Sequence, residues 1–167
     1  MTLESNLWGW LRGARRELGA TLHINRVENG VMAGMPDVEG FLHIPGGKGE
    51  VATIGQFWLE LKSSERPARP TTPVRFSLRD REAQIEWMRT RWNIGANAFW
   101  LLQVGSGTER RLYLARGDLG ERLKAGMTET ELFAEVATYG FLGSKLSPGQ
   151  VIKQVVTCRM KSFRMGL

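Results

Sequence analysis

The chain has 167 residues, 42% hydrophobic, 9% aromatic and 24% charged, which is enough to bury a core within one domain and excludes a disordered or collagen-like polypeptide. Its apolar runs, such as Ala98 to Leu102, are too short to cross a bilayer, and Met1-Thr2-Leu3-Glu4 lacks the basic and apolar regions of a signal peptide, so a cytoplasmic protein without a membrane partner is expected. One cysteine, Cys158, and two separated histidines, His23 and His43, rule out an internal disulfide and a Cys/His zinc site, leaving carboxylates to hold any metal.

Lysine and arginine total 23 against 17 acids, a net charge of +6 and a pI near 10.0. That balance favours a polyanionic partner, with nucleic acid first. The basic excess is uneven. Arg66, Arg69, Arg75, Arg79 and Arg81 flank a proline-rich stretch, and after Glu135 no acid remains while Lys145, Lys153, Arg159, Lys161 and Arg164 follow. A merely solvated basic surface is the plain alternative.

In chain order, Leu3, Leu7, Trp10, Leu11, Ala14 and Leu18 recur at helical spacing and predict one amphipathic helix over the first 18 residues or so, ended by Gly19. From Leu22 to Ala33 the pattern is short and extended, broken by the hairpin signal Asn29-Gly30. Two further strands, Asp37 to Ile44 and Val51 to Ser63, are joined through Pro45-Gly46-Gly47-Lys48-Gly49 and should pair antiparallel. A loop with three prolines follows, then a helix from about Leu78 to Trp92, ending near Gly95. Ala98 to Val104 and Arg111 to Ala115 read as strands around a Gly105-Ser106-Gly107 turn. The remainder, about 117–167, is mostly helical: Thr128 to Ala137, then a helix capped by Ser147 with Pro148 at its first position. Neither an internal repeat nor a linker divides the chain.

The chemistry concentrates in Gly34-Met35-Pro36-Asp37-Val38-Glu39-Gly40 and Phe57-Trp58-Leu59-Glu60-Leu61-Lys62. If the hairpin turns between Lys48 and Gly49, facing positions sum to 97, which sets Asp37 opposite Glu60. Opposed Cβ atoms lie on the order of 5 Å apart, so the two carboxylates can share one divalent cation and would otherwise repel. Glu60 and Lys62, two apart, share a strand face, while Leu59 and Leu61 point the other way. Two hard carboxylates suit magnesium, with the Leu61 carbonyl as a further oxygen ligand, and manganese can replace it. Magnesium acidifies a water and offsets charge developing on a phosphate, and Lys62 can orient that water or stabilise the pentacovalent state. Such machinery hydrolyses phosphodiesters. Taken alone, Asp37 is a turn residue and Glu60 with Lys62 a solvated strand face; the apolar neighbours Phe57, Trp58, Leu59 and Leu61 imply a buried strand in which charges need a reason.

At these residues the chain resembles the PD-(D/E)XK nuclease superfamily, Pro36-Asp37 and Glu60-Leu61-Lys62 matching its two signature pieces. The Gly34-Met35-Pro36-Asp37 context is most similar to the VRR-NUC group, related in fold to archaeal-type and phage Holliday-junction resolvases. The resemblance runs from about Glu4 to Val104. It implies a restriction-endonuclease-like α/β core, with a mixed β-sheet flanked by helices, and metal-dependent cleavage of DNA. It also implies a helical glutamine after the Glu-X-Lys strand, a place that Gln84 fills, and an acid on the first helix. Glu4 and Glu17 flank the apolar stripe on opposite sides, so periodicity does not choose between them; the family's spacing favours Glu4, also as a possible metal ligand. Glu28 and Glu39 are weaker candidates.

The expected function is therefore a magnesium-dependent endonuclease acting on branched or structured DNA, resolvase-like. Two symmetric nicks would require a homodimer, joined through exposed apolar residues of the first helix or the C-terminal segment. Arg66, Arg69, Arg75 and Arg79 are the expected phosphate contacts, and no base-reading module is present. Another nuclease of the superfamily, of nicking, flap-cutting or restriction type, has the same site residues. The rival from another class is a non-catalytic nucleic-acid-binding module. A Gly-rich phosphate loop after a strand is missing, which disfavours a nucleotide-binding enzyme. Most tryptophans should pack the core or a dimer contact, with Trp8 the best candidate for the rim of the site. Cys158 should be inert.

Overall fold

The computed structural model describes residues 3–27, 34–48, 52–78, 81–136 and 146–164, with side chains from 4 to 158. The strands are β1 (Leu22–Arg26), β2 (Val38–Ile44), β3 (Thr53–Ser64), β4 (Asn97–Val104) and β5 (Arg111–Arg116). They form one sheet in the order β1-β2-β3-β4-β5. All neighbours are antiparallel except β3 and β4. A parallel step needs a crossover, and α3 (Glu82–Asn93) occupies it.

Helices cover both faces, giving an α/β fold with a mixed sheet between two helical layers. On one side α1 (Leu3–Leu11), α2 (Ala14–Leu18) and α6 (Pro148–Arg164) pack Leu7, Leu11, Ala14, Val151 and Val155 on Phe57, Leu59, Leu61, Phe99 and Leu101. On the other, α3, α4 (Gly120–Ala125) and α5 (Glu129–Val136) pack Ile85, Met88, Leu123 and Leu132 on Trp100, Leu102 and Tyr113. The alternation along β4 explains both: Phe99 and Leu101 join one cluster, Trp100 and Leu102 the other. A strand buried on both faces reads as a continuous apolar run, as this one does. Among the described residues no helix is long and apolar enough to cross a membrane.

Three local departures from the sequence expectations have physical causes. The first helix is broken after Leu11: Gly13 N–H bonds to the Trp10 carbonyl three residues back, and a Cβ at Gly13 would lie 2.9 Å from that oxygen and 3.4 Å from Pro148 Cγ. A residue without a side chain lets the chain tighten there and lets α6 approach. Strand β2 starts one residue late because Asp37 gives its N–H to a side chain, while its carbonyl accepts from Val27 N. Helix α3 starts at Glu82 rather than near Leu78: Leu78 N–H bonds to the Phe76 carbonyl two residues back at 2.8 Å, a turn that is not helical, and its side chain is buried in the core. The Asn29-Gly30 turn lies outside the described residues.

The C-terminal helices are integral to both layers. Glu17 accepts from Ser147 Oγ at 2.6 Å and Gly149 N at 3.1 Å, tying α2 to the first turn of α6. Among the described residues of α1 and α6, Leu7, Leu11, Val151, Ile152, Val155 and Val156 are buried in the core, and Trp8 and Trp10 are half-buried. The large exposed hydrophobics are instead Phe41, Ile54, Ile94 and Phe133.

Candidate active site

The β2–β3 register follows the spacing of the hairpin: Val38 faces Leu59 and Glu39 faces Trp58, so Asp37 comes up to Glu60 just beyond the last pair. The two residues are interlocked. Asp37 N–H donates to Glu60 Oε2 at 3.1 Å, and Leu61 N–H donates to Asp37 Oδ2 at 3.1 Å. Lys62 Nζ sits 2.6 Å from Glu60 Oε1. Glu60 is 0% exposed and Lys62 6%.

Both point to the α3 side of the sheet, since Glu60 is level with Trp100 and Lys62 with Leu102. Burial pushes the Glu60 carboxyl from 4.5 up to about 8; Lys62 pulls it down and Asp37 adds to the rise. With Glu60 and Lys62 buried and Asp37 half-buried beside them, two acids and one ammonium lack one positive charge when all are ionised. That shortage is what a divalent cation would make good.

Gly34 places the Pro36-Asp37 segment. Its φ is +91°, and a Cβ there would lie 2.4 Å from the Ala83 carbonyl oxygen and 3.1 Å from Gln84 N. Only a glycine permits both the backbone angle and the contact with the start of α3. The side chain of Gln84 is half-buried, and its Oε1 has no hydrogen-bond partner among the described residues. A buried amide oxygen left open on α3, the helix against which Gly34 packs, suits a water or a cation.

The acid expected from the first helix is not drawn into this group. Glu4 is half-buried in the first turn of α1, a helix whose Leu7 and Leu11 pack with Leu59 and Leu61 on the opposite side of the sheet from Glu60 and Lys62. No set of three or more His, Cys, Asp or Glu side chains able to hold a metal forms among the described residues. Glu17 is a helix-end anchor for α6. Glu39 lines a shallow pocket with His23, Phe41 and Gln56, and Glu28 lies outside the described residues.

The expected phosphate contacts divide. Arg66 donates to both carboxylate oxygens of Glu129, at 3.2 and 3.3 Å, and to the Glu109 carbonyl at 2.9 Å. Arg69 and Arg75 are exposed, and Arg79 lies outside the described residues. Trp8 and Trp10 are partly buried against the core, with the Arg110 guanidinium 4.7 Å above the Trp10 ring.

Two features were not foreseen from sequence. Trp58, on the same strand face as Glu60, meets Trp87 edge to face at 5.8 Å, with Arg91 over both rings at 5.9 and 5.1 Å. Spacing held the signal, since Trp58 and Glu60 are two apart on a strand and Gln84, Trp87 and Arg91 recur at helical intervals. The second feature is a cleft beside Arg66 whose residues come from β5, α5 and a loop, and no local pattern joins them.

No family model, curated protein or solved structure matches the chain. The site has to be read from its own geometry.

Proposed function

We propose that the protein is a divalent-cation-dependent endodeoxyribonuclease acting on branched or structured DNA. The observation that supports this reading is the Asp37–Glu60–Lys62 group, with Glu60 and Lys62 buried, interlocked through two backbone N–H bonds and short of one positive charge when all three are ionised. A structural ion pair would need no second carboxylate. The donor set fits magnesium or manganese: oxygen ligands from Asp37 and Glu60, the Leu61 carbonyl as a further oxygen, and no competing thiolate or imidazole in the group.

When bound, the cation supplies positive charge for the phosphate and acidifies a water. The chain's own residues do the rest. Asp37 and Glu60 would hold the cation through carboxylates that Leu61 N–H, Asp37 N–H and Lys62 Nζ keep in place. Lys62, held by Glu60, presents N–H donors to a phosphate oxygen or to the attacking water. Gln84 accepts a proton-bearing neighbour on the α3 side. Glu4 has no part in this scheme.

A restriction-endonuclease-like core and a preference for branched DNA accord with the resemblance of Pro36-Asp37 and Glu60-Leu61-Lys62 to the nuclease superfamily. Symmetric cutting calls for a homodimer, and Phe41 and Ile54, exposed on one face of the β2–β3 hairpin, are the apolar residues available to it.

The test is cleavage of four-way junction, flap, linear duplex and single-stranded DNA, with magnesium, with manganese and with chelator. Paired, cation-dependent nicks in the junction alone support the resolvase-like reading. Cutting of another substrate keeps the nuclease and replaces the substrate, while DNA binding without cutting under either cation leaves a binding module.

A further inference from the structure

A cleft of about 700 Å³ lies between the 67–72 loop, β5 and α5. It opens on the same side of the sheet as the proposed catalytic group. Lys62 is level with Leu102, and Leu102 with Tyr113 at the base of the cleft. Two strand spacings separate them, roughly 10 Å.

Its chemistry differs from that of the catalytic group. Glu129 is the acid on the cleft floor, and it is fully engaged: by Arg66, by Arg111 Nη1 at 3.2 Å and by Tyr113 Oη at 2.5 Å. Arg66, Arg69 and Arg111 line the cleft, so cations outnumber the acid there. Arg69 is exposed and forms no ion pair among the described residues, and Arg111 is half exposed. Phe133, 47% exposed, adds an aromatic ring to the wall.

The wall is held at both ends. Arg66 fixes its start to Glu129 and Glu109, Val74 N–H bonds to the Met127 carbonyl at 2.8 Å at its end, and Thr72 N–H closes a turn on the Arg69 carbonyl. A proline-rich segment pinned in this way loses little entropy on binding.

We infer that this cleft seats an unpaired nucleotide of the DNA next to the scissile phosphate, its base against Phe133 and its phosphates on Arg69 and Arg111. The inference rests on the nucleic-acid reading of the site and specifies the substrate as DNA with a single-stranded stretch beside the cut. A cleft of this size takes a base with its sugar and excludes a duplex. Arginines surrounding an aromatic ring match the phosphate and the π-face of one nucleotide, and stacking of this kind tolerates any base.

The test is equilibrium binding of the full chain, in chelator, to a labelled blunt duplex, to the same duplex with a single-stranded tail, and to a tailed duplex with abasic sites in the tail. The expected result is a preference for the tailed over the blunt duplex of about tenfold. Abasic sites and Phe133→Ala should each erase the preference, and Phe133→Trp should restore it. Because Phe133 is exposed, the alanine variant should fold; Arg69→Ala gives a second, independent reduction of the same ratio. Equal affinity for tailed and blunt duplexes overturns the inference, as does a preference that survives Phe133→Ala, Arg69→Ala and the abasic tail. Cleavage with magnesium is scored separately. A chain that shows the preference without cutting keeps the cleft and loses the nuclease, whereas one that cuts without the preference does the reverse.

Discussion

Two clusters of acid and base share one side of the sheet, and they solve opposite charge problems. Around Glu60, two carboxylates face one ammonium, with Glu60 and Lys62 buried and Asp37 half-buried, so the cluster is short of one positive charge when all three are ionised. Around Glu129, one carboxylate is held by two guanidiniums and a phenol at the edge of an open cleft; Arg66 is shared with Glu109, and the exposed Arg69 is the positive charge left over. The first arrangement suits a cation and the second an anion. A polynucleotide bound by both would place a phosphate at the first while its neighbouring nucleotide lies in the second.

The largest expected effect that separates the two clusters comes from Asp37→Asn and Glu60→Gln. Each should lower cleavage on the order of 1,000-fold, read from single-turnover rates, with the far-ultraviolet circular dichroism unchanged. Turnover near that of the parent in either variant removes Asp37 and Glu60 from the chemistry. The isosteric changes are preferable to alanine at position 60: Glu60→Ala would strand the buried Lys62 ammonium, a loss of about 3–5 kcal/mol that confounds activity with folding.

Next in size is a dependence on pH. With its pKa raised from 4.5 to about 8 by burial, Glu60 is protonated at neutral pH when no cation is bound. The folded state then holds a proton that the unfolded state has released. Its contribution to stability is full below 4.5 and is lost as pH rises through about 8. Denaturant titrations of the cation-free protein should show the decline, and magnesium should reverse it at the alkaline end. Calorimetric titration in buffers of different ionisation enthalpy should find about one proton released per magnesium at neutral pH, with affinity rising up to about pH 8. Proton release of zero sinks the assignment of Glu60 as a ligand.

A smaller effect, on stability rather than chemistry, is expected at the other cluster. Glu129→Gln weakens the bonds to Arg66, Arg111 and Tyr113 and should cost about 2 kcal/mol, a fall in Tm of roughly 4–8 °C. It should not bring the loss of turnover expected of Asp37→Asn. Smallest of all is Arg89→Ala, which removes an exposed ion pair with Glu86 on α3. A stability change within about 0.5 kcal/mol, by thermal denaturation, marks that helix face as ordinary surface.

Much of this could be read from the chain. The spacing across Lys48 and Gly49 fixed which residues of β2 and β3 meet, because an antiparallel hairpin leaves little choice once its turn is placed. It therefore brought Asp37 to Glu60. Alternation put Glu60 and Lys62 on one face, and the continuous apolar run Ala98 to Leu102 marked a strand buried on both sides. The break at Gly13 was invisible because the apolar stripe continues through it at helical spacing. The pairing of Glu17 with α6 was hidden because its partners, Ser147 and Gly149, lie 130 or more residues away.

Sequence by itself thus determined the order of the five strands, the hairpin register and the residues of the Asp37–Glu60–Lys62 group, all set by period-two patterning and by turn chemistry that act over short separations. Only the tertiary structure decided that Glu60 is sealed from water with its pKa raised. It also decided that Arg66 is committed to Glu129, that Glu4 stays with the opposite layer, and that β5, α5 and a proline-rich loop enclose a basic cleft two strands from Lys62. Those outcomes depend on layers packed from distant parts of the chain, where burial and charge are properties of the assembled fold.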